Sequence, residues 1–233
     1  MGKRQDARDR TERRIIELGR AQLATVGAAG LSLRAIARDM GMVSSAVYRY
    51  VAGRDDLLTL LLVDGYDALA DTVDRAGREV GTHWQARLAA MARATRAWAR
   101  EHPAQWALLY GSPVPDYHAP RERTVGPGTR VIGALLAAVA DGAAAGELAR
   151  RPNVTIPASL SVDLGALRVQ FELRRGDSVL DDSALAGSLL LWAALIGAIN
   201  LEVFGHYGAD TFTDPADVFD VQLALLLDML TGN

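Results

Sequence analysis

Ser44, Ser45, Tyr48 and Tyr50 crowd four hydroxyl groups into one short stretch, with Ser32, Arg34 and Arg54 close by in sequence. Hydroxyl and guanidinium groups hydrogen-bond base edges and phosphates, and an aromatic ring can lie against a thymine methyl. This is binding chemistry rather than bond-making chemistry. The chain has no cysteine, which removes disulfides, thiolate zinc sites and thiol nucleophiles. His83, His102, His118 and His206 are scattered without metal-ligand spacing, so no metal is expected. No Gly-x-Ser-x-Gly and no glycine-rich phosphate loop after a strand is found, so no enzyme and no cofactor is expected.

The elements that must position those hydroxyls follow from composition and period. The chain has 233 residues, is 50% hydrophobic and 23% charged, and is dominated by helix-forming residue types. From Thr11 to Val26, Ile15, Ile16, Leu18, Leu23 and Val26 gather on one helix face, interrupted by Gln22, and Gly27 and Gly30 end that helix. Ser32 can cap a second helix with Leu33, Ile36, Ala37 and Met40 inward, stopped by Gly41. Ser44 can cap a third through Tyr50, with Ala46, Val47 and Val51 inward. A long helix then runs from Arg54 towards Val80, with Asp55 and Asp56 suited to the macrodipole of its first turn.

Further helices are expected over 84–100, 103–110, 129–145, 157–173, 183–204 and 215–230, with Ser183 capping the fifth of these. Pro113, Pro115, Pro120 and Pro127 predict a loop before residue 129, and 174–182 predicts another. No strand pair is expected.

Residues 1–56 hold eleven Lys or Arg against seven Asp or Glu, a charge of +4; with −3 for the whole chain, −7 falls on the remaining 177 residues. A basic head on an acidic body predicts a polyanion partner for the head, against the plainer alternative of a solvated helix face. Lys3, Arg4, Arg8 and Arg10 predict a disordered basic tail, with a minor-groove arm as the other reading. The N-terminus leads into no apolar h-region, so a cytoplasmic address is expected. Ala184 to Asn200 carries no charge, yet Asp181, Asp182 and Glu202 flank it and no basic cluster does, which favours a buried or interface helix over a membrane span.

Two short helices around Gly41–Met42–Val43 fit a helix-turn-helix, in which glycine makes the tight turn and short polar residues open the second helix. Residues 31–62, with the phrase Ile-Ile-Glu-Leu-Gly-Arg-Ala-Gln-Leu-Ala-Thr-Val-Gly before them, resemble the DNA-binding region of the tetracycline-repressor (TetR) family. The resemblance implies that Ser32 and Arg34 start the supporting helix near phosphate and groove edge. It implies that Ser44, Ser45 and Ala46 face bases, that Tyr48 and Tyr50 touch phosphate or base, and that Arg54 touches phosphate. Val43 and Ala46 depart from the polar residues that would read bases. For each tyrosine the alternative is packing in the head's core, and for Arg54 a solvated charge.

Farther on, Trp106–Tyr117 and Trp192-Ala-Ala-Leu-Ile-Gly197, with Glu202 and Gly205, resemble the C-terminal domain type of that family with a Trp…His-Gly signature; Ile196 replaces the histidine. The resemblance implies an all-α protein: a helix-turn-helix domain over 1–56, joined by a long helix to an effector-binding and dimerisation domain over 57–233. It implies a homodimer through the last two helices, with Leu189, Trp192, Ala193, Ile196, Ile199, Asn200, Val218, Val221 and Leu225 at the interface. It places a small-molecule effector in the body, for which Tyr66, Trp98, His102, Trp106, Tyr110 and Gln170 are the candidates, with Trp84 and Gln105 beside them; simple core packing is the alternative for each aromatic. The implied function is a DNA-binding transcriptional regulator, a repressor released from double-stranded operator DNA by a mainly apolar effector, without a membrane partner. An activator, or a helical protein that only binds other proteins, are the other readings.

Overall fold

The computed structural model of the chain describes residues 2–149 and 154–232. Packing divides the chain into one unit of Met1–Leu69 with Ala99–Gly128, and another of Ala70–Trp98 with Thr129–Asn233.

The first unit starts with α1 (Lys3–Val26). The helix begins eight residues before Thr11, so the expected basic tail is helical. Gln5 donates to Asp9 at 2.7 Å and Arg8 to Glu12 at 2.8 Å, and such i,i+4 pairs extend a helix past its apolar stripe. Lys3 and Arg4 are described in backbone only. The apolar stripe of α1 faces α2 (Leu33–Asp39), for which Ser32 is the N-cap: its hydroxyl accepts the Ala35 N–H at 3.3 Å. Gln22, the polar residue in that stripe, accepts the Ser32 N–H at 2.9 Å and so ties α1 to the start of α2.

Gly41, at φ 64°, turns the chain after α2, and the Met42 N–H returns to the Ala37 carbonyl at 2.9 Å. Helix α3 is only Ser44–Val47, with Val43 rather than Ser44 at the N-cap and Tyr48–Tyr50 forming a turn. Helix α4 (Arg54–Glu79) follows. Its Leu57, Leu58 and Leu61 complete a core with Ile15, Leu23, Leu31, Leu33, Ile36, Val47 and Val51. Packing thus groups them with the head, beyond the residue-56 boundary drawn from sequence. Each such side chain contributes about 1.5–3 kcal/mol on full burial.

Helix α5 (Trp84–Glu101) ends in this unit, followed by α6 (Pro103–Tyr110), with Pro103 at a first-turn position that needs no N–H. Leu108, Val114 and Tyr117 close one side of the head's core. Helix α7 (Arg121–Ala144) starts before the expected loop ends and passes through Pro127. An interior proline removes one backbone hydrogen bond at a cost of about 3 kcal/mol. Residues 121–128 group with the first unit, and the Tyr66 ring lies 3.3 Å from where a Cβ on Gly128 would stand.

In the second unit α7 continues beside the front of α5. Trp84 is buried against Gly142, where a Cβ would come within 2.6 Å of the indole, so only glycine allows this approach. The Trp84 indole N–H donates to Glu147 at 2.6 Å.

Helix α8 (Ala158–Gln170) has Pro157 as its N-cap and ends three residues before the expected Leu173. A two-residue hairpin, β1 (Arg174–Arg175) with β2 (Ser178–Val179), occupies the expected loop, pairing Arg174 with Val179 and Arg175 with Ser178. Gly176 at φ 57° makes its turn.

Helix α9 (Asp182–Val203) is capped by Asp181, whose carboxylate accepts the Ala184 N–H at 2.8 Å; Ser183 is inside the helix and donates to Asp181 instead. Helix α10 (Pro215–Thr231) is capped by Asp214 and packs against α9, as does α8. The all-α expectation holds, with the hairpin as its one departure among the described residues.

Candidate nucleic-acid interface

The α2–turn–α3 segment sits on a core that fixes its backbone, because Leu33, Ile36, Ala37, Val47 and Val51 are all buried. What remains outside is polar. Arg34, Ser44 and Ser45 are exposed, Tyr48 is 46% exposed, and Ala46 is half-buried. Since α3 begins at Ser44, the two serines form its first turn, where short hydroxyls meet groove edges with least hindrance. Val43 is exposed beside them and can meet a thymine methyl but cannot read a donor or acceptor.

The other expected residues are more committed. Ser32 spends its hydroxyl on the cap of α2. Tyr50 is half-buried against the head's core, with the Arg8 guanidinium 5.7 Å from its ring centroid. Arg54 donates to the Ala28 carbonyl at 3.1 Å and stands 3.8 Å from Asp55, so part of its guanidinium serves the fold. Arg8, expected in a basic tail, stands on α1 beside Tyr50, and the exposed Arg49 is a further cation of this region that the sequence reading does not single out.

The expected effector residues divide between the units. Tyr66, Trp106 and Tyr110 come together in the first: Tyr110 meets Tyr66 edge-on at 6.1 Å and Trp106 at 4.5 Å between ring centroids. Trp106 is fully buried, and the Tyr66 hydroxyl donates to the Leu109 carbonyl at 3.4 Å. Burial first, then the proximity of Tyr117 for Tyr66 and of Tyr66 for Tyr110, pushes both phenols above the ordinary tyrosine range. His102 is the N-cap of α6, and Gln105 is buried nearby in sequence. Trp98, buried, and Gln170, exposed, belong to the second unit.

On α9 and α10, Ala193, Val221 and Leu225 are exposed, while Leu189, Trp192, Ile196, Asn200 and Val218 are half-buried. Ile199 differs: it is fully buried within its own protomer and has no surface to offer another. The exposed Leu190 and Leu201, absent from the expected set, extend the apolar face. Between the two helices lies an apolar groove of about 420 Å³ lined by Ala194, Gly197, Ala198, Leu201, Leu225 and Leu226. By length and composition α9 could cross a membrane, and a third of its most apolar window is buried.

Two short helices around a positive-φ glycine, presenting hydroxyls from the second and carried on an all-helical body, define a helix-turn-helix protein. Residues 88–226 match the family model for the tetracyclin repressor-like C-terminal domain, and both C-terminal phrases, at 106–117 and 192–205, lie inside that span. HTH-type transcriptional regulators of Mycobacterium tuberculosis and Mycobacterium bovis are each 55% identical over 231 residues, covering 99% of this chain and 96% of theirs. The crystal structure of a regulatory protein 32% identical to this chain superposes with a TM-score of 0.75 over 97% of this chain and 99% of that one. A TetR-family regulatory protein of Rhodococcus, at 16% identity and a TM-score of 0.60 over 94% and 96% of the two chains, shares the fold. The chain belongs to the TetR family. It is a transcriptional regulator and not an enzyme; regulators of this family bind operator DNA and dimerise.

Proposed function

We propose that this regulator is a cytoplasmic homodimeric repressor that a small, mainly apolar effector releases from its operator. The observation that carries the reading is the exposed first turn of α3, Ser44 and Ser45 with Tyr48 beyond, on a backbone held by buried Val47 and Val51. Ser44, Ser45 and Ala46 meet base edges. Arg34, Tyr48, Tyr50 and Arg54 meet phosphates and groove walls, with Ser32 fixing the helix behind them. Residues 1–56 serve DNA and 57–233 serve the effector and the partner copy.

The apolar faces of α9 and α10 pair two copies, which sets two heads one DNA turn apart and excludes a membrane role for α9. Repression is favoured by an HTH-type transcriptional repressor of Streptomyces coeruleorubidus that is 36% identical over 99 residues, 41% of this chain and 33% of that protein. An apolar effector is favoured by the ring cluster of Tyr66, Trp106 and Tyr110.

The test is selection of bound duplexes from a random pool, followed by titration of the winner. Ser45→Ala should cost about 1–3 kcal/mol on that duplex and little on a scrambled one. Affinity should fall steeply with salt, less steeply for Arg34→Ala. If no duplex is enriched, the reading fails.

A further inference from the structure

A single carboxylate ties the short link from α3 to α4 to the first turn of α7. Asp56 accepts the Ala52 N–H through Oδ2 at 3.0 Å and the Arg123 Nη1 through Oδ1 at 2.6 Å. Ala52 follows Val51, a core residue at the end of the recognition segment, and Arg123 lies in the first turn of α7. One turn along α4, the buried Thr59 hydroxyl donates its only proton to the Asp55 carbonyl at 2.8 Å. Its 2.9 Å contact with the Tyr117 hydroxyl therefore has Tyr117 as donor. Tyr117 also closes the edge of the head's core. Two residues more than fifty positions downstream thus pin the first two turns of α4, where the recognition segment ends.

We propose that Arg123 and Tyr117 are positioning residues for DNA recognition: through Asp56 and Thr59 they form a latch that sets the angle at which α3 is presented. This rests on the operator-binding reading above and goes beyond it, because neither residue lies in the helix-turn-helix. Base contacts supply specificity and depend on register, whereas phosphate attraction depends mainly on charge. Loosening the latch therefore lowers affinity for the operator and leaves binding to other DNA as it was. Helix α7 runs on from the latch to Ala144, so like α4 and α5 it contributes residues to both units.

The experiment uses the full chain, the selected operator duplex and a scrambled duplex. Arg123→Gln and Tyr117→Phe should each lower operator affinity about three- to tenfold, the scale of a partly exposed ion pair or one hydroxyl pair. Scrambled-duplex affinity and the salt slope should stay unchanged, and Arg123→Lys should recover part of the loss. Tyr117→Phe keeps the ring that packs on the core, so its thermal midpoint separates a positioning effect from unfolding. Equal loss on both duplexes, with a shallower salt slope, would make Arg123 a phosphate contact and overturn the inference, as would unchanged operator affinity in both variants. A wild-type chain that binds both duplexes alike would overturn the operator reading itself, and the latch with it.

Discussion

The Arg96 guanidinium meets both carboxylate oxygens of Glu202, Nε to Oε2 and Nη2 to Oε1, each at 2.6 Å. The side chains are 12% and 11% exposed, so this bidentate pair joins α5 to α9 in a largely dry setting. Arg96 also lies 5.5 Å above the Phe219 ring of α10, so one side chain organises three helices of the second unit. Removing the guanidinium takes a bidentate partner from a carboxylate that is largely shielded from water. Arg96→Met should lower unfolding free energy by about 2–4 kcal/mol, measured by urea titration, while the double change Arg96→Met with Glu202→Leu should recover most of it. A single variant as stable as the wild type would show that solvent reaches the carboxylate.

The contrast between Ile196 and Ile199 gives a prediction in two outcomes. Ile196 is half-buried on α9, and Ile199 three residues later is sealed in the protomer's core. Ile196→Asp should give a folded monomer, because the charge has no partner only once two copies meet. Ile199→Asp should fail to fold, since an isolated carboxylate in an apolar core costs several kcal/mol. Light scattering separates monomer from dimer, and circular dichroism separates folded from unfolded. An Ile196→Asp chain that stays dimeric would remove α9 from the interface.

These two isoleucines also mark what the sequence could reveal. Periodicity assigns both to α9, but which side of an almost wholly apolar helix faces its own core depends on where α8 and α10 land. Local chemistry was legible where one residue type has one use: Gly41 at positive φ, Ser32 as a cap, and Asp214–Pro215 opening α10. It misled where two neighbours could do the same job, as with Asp181 and Ser183, or where a helix runs through a residue of low helix propensity, as with Pro127 inside α7. In the interface, the hydroxyl pattern located the exposed first turn of α3. The Asp56–Arg123 and Thr59–Tyr117 pairs span about sixty residues, and no spacing or periodicity links one partner to the other.

Acid stability of the second unit should depend on Asp182. The Ser161 hydroxyl and the Arg168 guanidinium both donate to its carboxylate, and together they hold it below the usual aspartate value despite opposing desolvation. Arg168 also donates to the Leu180 carbonyl at 2.6 Å, so this carboxylate anchors the hairpin to the start of α9. A carboxylate with a lowered folded-state pKa stabilises the fold above its unfolded value of about 3.8. That contribution declines as pH falls past this value and is gone below the folded one. Urea midpoints measured from pH 5 to pH 3 should therefore fall more steeply for the wild type than for Asp182→Asn. Parallel curves would mean the pair contributes nothing to stability.

The ring cluster of Tyr66, Trp106 and Tyr110 makes the sharpest demand on the effector reading. Trp106 has no exposed surface while Tyr66 and Tyr110 are half-buried, so a ligand reaches the indole only by displacing what covers it. Entry shifts the DNA-binding equilibrium only if the ligand favours the DNA-incompetent state. A coupling of about 1–3 kcal/mol would weaken operator binding some 5- to 150-fold. A thermal-shift screen of apolar and aromatic compounds, followed by operator titration with each hit, tests this. Trp106→Ala should cost about 3–5 kcal/mol of stability through the cavity it leaves, so Trp106→Phe serves as the milder variant. In Trp106→Phe and Tyr110→Ala the hit's affinity should change by at least tenfold, and its effect on DNA should change in step. If both variants keep the wild-type response, the effector binds elsewhere and these rings are core.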